Sequence, residues 1–181
     1  MTTSEYLETA ETVLPRELAF GVLHVAEAPT TFHQRAVRDL TIALTAFVDL
    51  GRLGEVLPAP VDVILDHDAA LIVQPDVLFV SAERSHLIGD RIMGPPDLVV
   101  EVLSPKSRIG RLDERVGWFA QYGVRECWLV DLPRKEIAIL AFAGGRIADR
   151  TLVSGRQTIA SAVLPDLTLT PAGIFGWSWD R

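Results

Sequence analysis

The sequence predicts a single α/β domain over residues 1–181, with a mixed β-sheet flanked by helices. Three observations carry that reading. Two short apolar runs that open on Pro-Asp, at 74–80 and 96–105, have the length and valine content of buried strands. Apolar residues recur at helical spacing over 30–50 and again over 112–122. Residues 125–131 and 135–142 form two further strand-like runs joined by Leu132-Pro133-Arg134, the pattern of a hairpin. Strands and helices mixed in this order belong to one α/β layer structure.

Taken in order, residues 4–14 place Tyr6, Leu7, Ala10, Val13 and Leu14 at roughly helical spacing. Leu18 to Val25, with Gly21 inside, suggests a strand or hairpin arm. Thr30 or Thr31 can cap a long helix whose buried side carries Ala36, Val37, Leu40, Leu44, Phe47 and Val48, with Gly51 and Gly54 ending it. From Glu55 to Val80 the pattern turns strand-like, broken at Pro58, Pro60 and Asp66-His67-Asp68. Residues 82–94 read as a polar connector with a short helix. After the strand at 96–105, Leu112, Val116 and Phe119 mark a helical face that ends at Gly123. Gly144-Gly145 opens a strand-rich tail, and Pro171 to Phe175 reads as a last helical turn.

Composition narrows the function classes. The chain of 181 residues is 49% apolar with mixed charges, enough for a substantial core. No apolar run reaches transmembrane length, and the polar start Thr2-Thr3-Ser4-Glu5 does not read as a signal peptide, so the expectation is a cytoplasmic protein with no membrane partner. Cys127 is the sole cysteine, which excludes an intrachain disulfide and a cysteine-based zinc site. A net charge of −7 argues against nonspecific coating of nucleic acid, although it leaves room for a local basic patch.

The chemistry centres on the acids that interrupt the two Pro-Asp strands. Alternation along 97–103 puts Asp97, Val99, Glu101 and Leu103 on one face. A carboxylate within such a strand is costly unless it is paired, protonated or bound to a cation. If the strands lie side by side, Asp76 and Glu101 converge as hard oxygen ligands of the kind Mg²⁺ or Mn²⁺ takes. The plainer reading makes Asp76 and Asp97 turn caps and gives Glu101 an arginine partner. For Asp97, at the strand entrance, the plain reading is preferred; for Glu101, between Val100 and Val102, the functional one is. Lys106, Arg108, Arg111 and Arg115 form the densest basic stretch, either a phosphate clamp or a solvated helix face beside Asp113 and Glu114. His33, in the first turn of the long helix, is read first as a hydrogen-bonded structural residue and second as a site residue.

These stretches resemble a known family. Gln-Pro-Asp-Val-Leu-Phe-Val at 74–80, Pro-Asp-Leu-Val-Val-Glu-Val-Leu-Ser-Pro at 96–105 and Tyr-Gly-Val-Arg-Glu-Cys-Trp-Leu-Val-Asp at 122–131 look like the Uma-type restriction endonuclease family of the PD-(D/E)xK superfamily. The likeness runs from about Glu5 to Phe175 and includes His33-Gln34. It implies a restriction-endonuclease-like core, with Asp76 and Glu101 as the motif acids holding Mg²⁺ or Mn²⁺, helped by the Val102 carbonyl. It also implies DNA as the partner of an active enzyme, and it allows a homodimer. The motif lysine belongs at 103, where this chain has Leu103. In relatives a lysine on the next helix takes its place; here that position is Arg115, and the aspartate that precedes it is replaced by Arg111. Arginine stays protonated at any working pH, so Arg115 can steady a phosphate but not exchange a proton with water. Lys106 is then the substitute lysine. The expected function is metal-dependent hydrolysis of DNA phosphodiester bonds by Asp76 and Glu101, with Lys106 or Arg115 as the cation. The alternative is an inactive nuclease-fold module that binds nucleic acid or protein. Leu103 is expected to pack in the core or against the helix after it.

Overall fold

The computed structural model describes residues 1–10, 14–103 and 112–176. Its elements in chain order are α1 (Thr3–Leu7), β1 (Arg16–Ala19), β2 (Val22–Val25), α2 (Thr31–Gly51), β3 (Gly54–Pro58), β4 (Val63–Asp66), β5 (Leu71–Val73) and β6 (Val77–Ser81). A 3₁₀ segment (Ala82–Leu87) leads to β7 (Leu98–Val102), followed by α3 (Leu112–Tyr122), β8 (Glu126–Asp131), β9 (Glu136–Ala143), β10 (Arg146–Ser154) and α4 (Pro171–Phe175).

Local chemistry sets these boundaries. Thr30 caps α2 by accepting the His33 N–H, and the chain leaves the helix through Arg52 in the left-handed region. Gly54 then opens β3 at φ +152°, where a Cβ would stand 2.1 Å from the Val80 carbonyl oxygen, so only glycine lets β3 lie against β6 there. The first helix is shorter than the spacing over 4–14 predicts. A Thr2/Glu5 capping box starts it, but Glu8 caps its C-terminus, and both the backbone N–H and the hydroxyl of Thr9 bond the Tyr6 carbonyl. Local side-chain bonding of this kind competes with helix continuation.

Two sheets form where the sequence suggests one. The larger has the order β10-β9-β8-β7-β6-β3 and is mixed, with β7 and β8 parallel and its other neighbouring pairs antiparallel. The second, β2-β1-β5-β4, is antiparallel. Apart from the exposed edge strand β2, its short strands carry apolar residues on both faces, and both are covered. Val63, Leu65, Leu71 and Val73 join one core with α3 and the near face of the large sheet, while Leu18, Ile64 and Ile72 enclose Tyr6 on the far side. The opposite face of the large sheet carries Val77, Phe79, Leu98, Val100, Trp128 and Val130 against α2 and α4. Full burial of each such side chain is worth about 1.5–3 kcal/mol. β7 is therefore buried on both faces and lies inside the large sheet, where an acid can persist only with built-in partners.

Candidate active site

Asp76 directly precedes β6, and Glu101 lies in β7. The antiparallel register pairs Val77 with Val100, so one further step sets Asp76 opposite Glu101 on the face that α3 covers. The Val102 N–H donates to Asp76 Oδ2 at 2.8 Å, closing the register at that point. His33 approaches the same oxygen from the first turn of α2, with Nε2 at 3.1 Å. An ionised carboxylate only accepts, so towards it Nε2 is the donor. Nδ1 is buried and has no hydrogen-bond partner among the described residues.

Arg115 enters from α3 and is itself buried. Its Nε donates to Glu101 Oε1 at 2.8 Å, while Nη1 and Nη2 donate to Glu17 Oε2 and Oε1 at 2.6 and 2.8 Å. The guanidinium also lies over the ring of Phe119, one helical turn on, 5.4 Å from its centroid. Glu17 comes from β1 in the smaller sheet, and its Oε1 accepts the Gln74 N–H at 2.5 Å. Arg115 and Glu17 thus join the smaller sheet, α3, β7 and the segment leading into Asp76.

The electrostatics follow from this crowding. Burial pushes the Glu101 carboxyl up, the Arg115 charge draws it back, and Asp76 and Glu17 push it up again, to about 8. Burial works against the charge on Arg115, but Glu101 and Glu17 outweigh it and hold the guanidinium more firmly protonated than usual. Among the described residues, Asp76, Glu101 and Glu17 crowd around the Arg115 guanidinium. Among the described residues no three His, Cys, Asp or Glu side chains group closely enough to ligate an ion unaided. Two hard carboxylates are nonetheless what Mg²⁺ commonly takes from a protein, the rest of its shell being water and phosphate. The donor chemistry of Asp76 and Glu101 fits such an ion.

The other residues singled out from the sequence separate clearly. Asp97 is fully buried and accepts from Ser81 N–H at 2.8 Å, Arg84 Nη1 at 3.1 Å and Arg125 Nη1 at 3.2 Å, as a structural acid would. Leu103 is partly buried against the core that contains Val116 and Phe119. Lys106 and Arg111 lie outside the described residues. Sequence reasoning missed Glu17. Its signal was an acid at an alternating position beside Leu18 and Ala19, in a strand covered on both faces, but that covering is visible only in the fold.

Comparison with known proteins comes to the same fold. The family model described as "Uma2: Putative restriction endonuclease" matches residues 4–172. A crystal structure of a putative nuclease belonging to DUF820 from Anabaena variabilis superposes with a TM-score of 0.83, covering 98% of each chain at 16% identity. At that identity the likeness shows the fold alone. No curated protein matches the chain. Among the described residues no helix is long and apolar enough to cross a membrane.

Proposed function

The chain belongs to the Uma2 family of putative restriction endonucleases, and from that premise we propose that it is a metal-dependent nuclease that hydrolyses DNA phosphodiester bonds at the Asp76–Glu101 pair. The observation that carries this reading is the antiparallel β6–β7 register, which sets the two acids opposite each other with Glu101 crowded by Asp76 and Glu17. Asp76, Glu101 and the Val102 carbonyl would hold Mg²⁺ or Mn²⁺. Such an ion, when bound, polarises the phosphodiester and activates water.

The chain's own residues prepare that site. His33 donates to Asp76 and fixes one oxygen of the carboxylate, leaving its rotation restricted. Arg115 holds Glu101 Oε1, and Glu17 holds Arg115 by both of its terminal nitrogens. Scissile-phosphate stabilisation is assigned to Arg115 or Lys106, and proton exchange with water is beyond the arginine. DNA is the substrate class, and a homodimer remains compatible with it.

A second reading has its own support. Nε and both terminal nitrogens of Arg115 already bond Glu101 and Glu17, so this cation acts as an internal tie. A nuclease fold whose catalytic lysine has become a tie would serve as a binding module. Plasmid cleavage with Mn²⁺ by wild type, Arg115→Lys and Lys106→Ala separates the two. The nuclease reading expects weak cutting that Arg115→Lys increases or Lys106→Ala abolishes. No cutting by the wild type or by Arg115→Lys, with DNA binding retained, leaves the binding module.

A further inference from the structure

The edge of a sheet invites another strand unless something guards it, because its outward N–H and carbonyl groups lack partners. The edges of the two sheets are guarded unequally. β10 carries Arg146, Asp149 and Arg150 along one edge of the larger sheet, and β3 at the other carries Glu55 and closes on Pro58. β4 is covered by Ile92, which donates to the Asp62 carbonyl and accepts from the Ile64 N–H. β2 has none of these devices. It reads Val22-Leu23-His24-Val25, and its three apolar residues are 58%, 40% and 55% exposed in that order.

The hairpin with β1 decides which backbone groups of β2 face outward. The Ala26 N–H bonds the Pro15 carbonyl, so Pro15 and Ala26 form a hydrogen-bonded pair, and bonded and non-bonded pairs alternate from there. Glu17–His24 and Ala19–Val22 are then bonded pairs, while Leu23 and Val25 turn their N–H and carbonyl groups to the open edge. These two residues stand symmetrically about His24. An antiparallel second copy of β2, related by a two-fold axis at His24, sets Leu23 opposite the partner's Val25 and Val25 opposite the partner's Leu23. Each pair exchanges both of its N–H···O bonds. The same register brings the exposed Glu27 to the partner's Gly21, and in each copy the Gly21 carbonyl holds the Met1 ammonium at 2.8 Å. An acid thus meets a positive charge on each side of the axis.

From this geometry we propose that β2 is a self-association edge, through which two copies of the chain pair about His24 and join their smaller sheets into one. A foreign strand would meet the same donors, but the symmetry about His24 and the charge match at Glu27 belong to this chain. The side chains of β2 fall well short of the roughly 20 residues a side in a stable interface. The dimer therefore comes apart on dilution through micromolar concentrations. Neither Asp76 nor Glu101 enters the contact, so the proposal stands apart from the nuclease reading.

Sedimentation equilibrium of the full chain, run from low to high micromolar concentration, should show monomer giving way to dimer. Val25→Pro removes an outward N–H and leaves the pairing with β1 whole, and Val25→Lys puts a charge on the edge. Each should keep cooperative unfolding and lose the dimer. Cysteine cross-linking reads the position of the axis, and the native Cys127 is buried. A directly opposed non-bonded pair has its Cα atoms about 4.5 Å apart, within reach of a disulfide. His24→Cys should cross-link under mild oxidation, whereas Val22→Cys, which falls opposite the partner's Ala26, should not. A chain that stays monomeric, a dimer that survives Val25→Lys, or cross-linking at Val22→Cys as strong as at His24→Cys would overturn the proposal.

Discussion

Asp97 directly precedes β7 and Glu101 lies within it, and both are acids within the apolar layers, yet their surroundings are opposite. Asp97 accepts a backbone N–H and two guanidinium groups. Burial pushes its carboxyl up, but the bonds from Ser81, Arg84 and Arg125 outweigh burial and hold it below the ordinary range. Among the described residues Glu101 accepts from Arg115 alone, faces Asp76 and Glu17, and is pushed up to about 8. Glu126 sides with Asp97: it is fully buried and accepts from Trp128 Nε1, Ser161 Oγ and Ala162 N–H, each at 2.7 Å. Burial by itself therefore does not mark a site. An acid saturated by donors holds the fold, and an acid crowded by other acids calls for a cation.

The sharpest way to break that comparison is to remove each acid in turn. Asp97→Ala leaves Arg84 and Arg125 without their shared carboxylate and a part-buried Ser81 N–H without its acceptor. It should cost about 4 kcal/mol in urea unfolding. Glu101→Gln replaces a carboxyl whose surroundings already favour its neutral form, and it should cost no more than about 1 kcal/mol. Equal losses would mean that both acids are structural.

Arg115→Ala comes next. It leaves Glu17 and Glu101 buried without their cation, at a cost of about 3 kcal/mol. Pairing it with Glu17→Gln should recover part of that loss. If the double variant is as unstable as the sum of the two singles, Glu17 and Arg115 are not coupled.

A smaller effect separates the acids by pH, measured by urea unfolding with a chelator present. The folded-state value of Glu101 is raised from 4.5 to about 8, so between those values the folded chain binds more protons than the unfolded one. Its contribution is fully present below 4.5 and is lost as pH rises through about 8. Glu101→Gln should flatten the decline over that window. Asp97 has the reverse sign: its folded value is lowered, so its contribution is present above its ordinary value of 3.8 and is lost as pH falls through the lowered value. An unchanged slope in Glu101→Gln would contradict the crowding of the site.

The smallest expected effect is at Leu103. Leu103→Ala should cost about 1 kcal/mol, because the side chain is only partly buried against the α3 core. A loss as large as that of Arg115→Ala would make this position a core anchor.

Much of this was legible in the chain before its fold was. Proline-bounded valine runs gave β6 and β7, and the acids inside them pointed to Asp76 and Glu101, because a charge in an apolar strand demands a partner. The plain reading of Asp97 also agrees with its donors. What the sequence could not show was the second sheet. Strands as short as β4 and β5 carry no alternation to reveal which face is covered, so nothing in the sequence marked Glu17 as buried. The pairing of Glu17 with Arg115 spans most of the chain and joins elements that share no local pattern. The terminal turns of α1 were misjudged because spacing alone does not register the Thr9 hydroxyl that competes for the Tyr6 carbonyl.

The account's central claim is that Asp76 and Glu101 together form a cation site. Calorimetric titration of the full chain with Mn²⁺ tests it most directly, with Asp76→Ala and Glu101→Ala beside the wild type. The account predicts one saturable site in the wild type that is lost in both variants, while each variant keeps its cooperative unfolding. Absence of binding to the wild type, or binding that persists when either acid is removed, would contradict it.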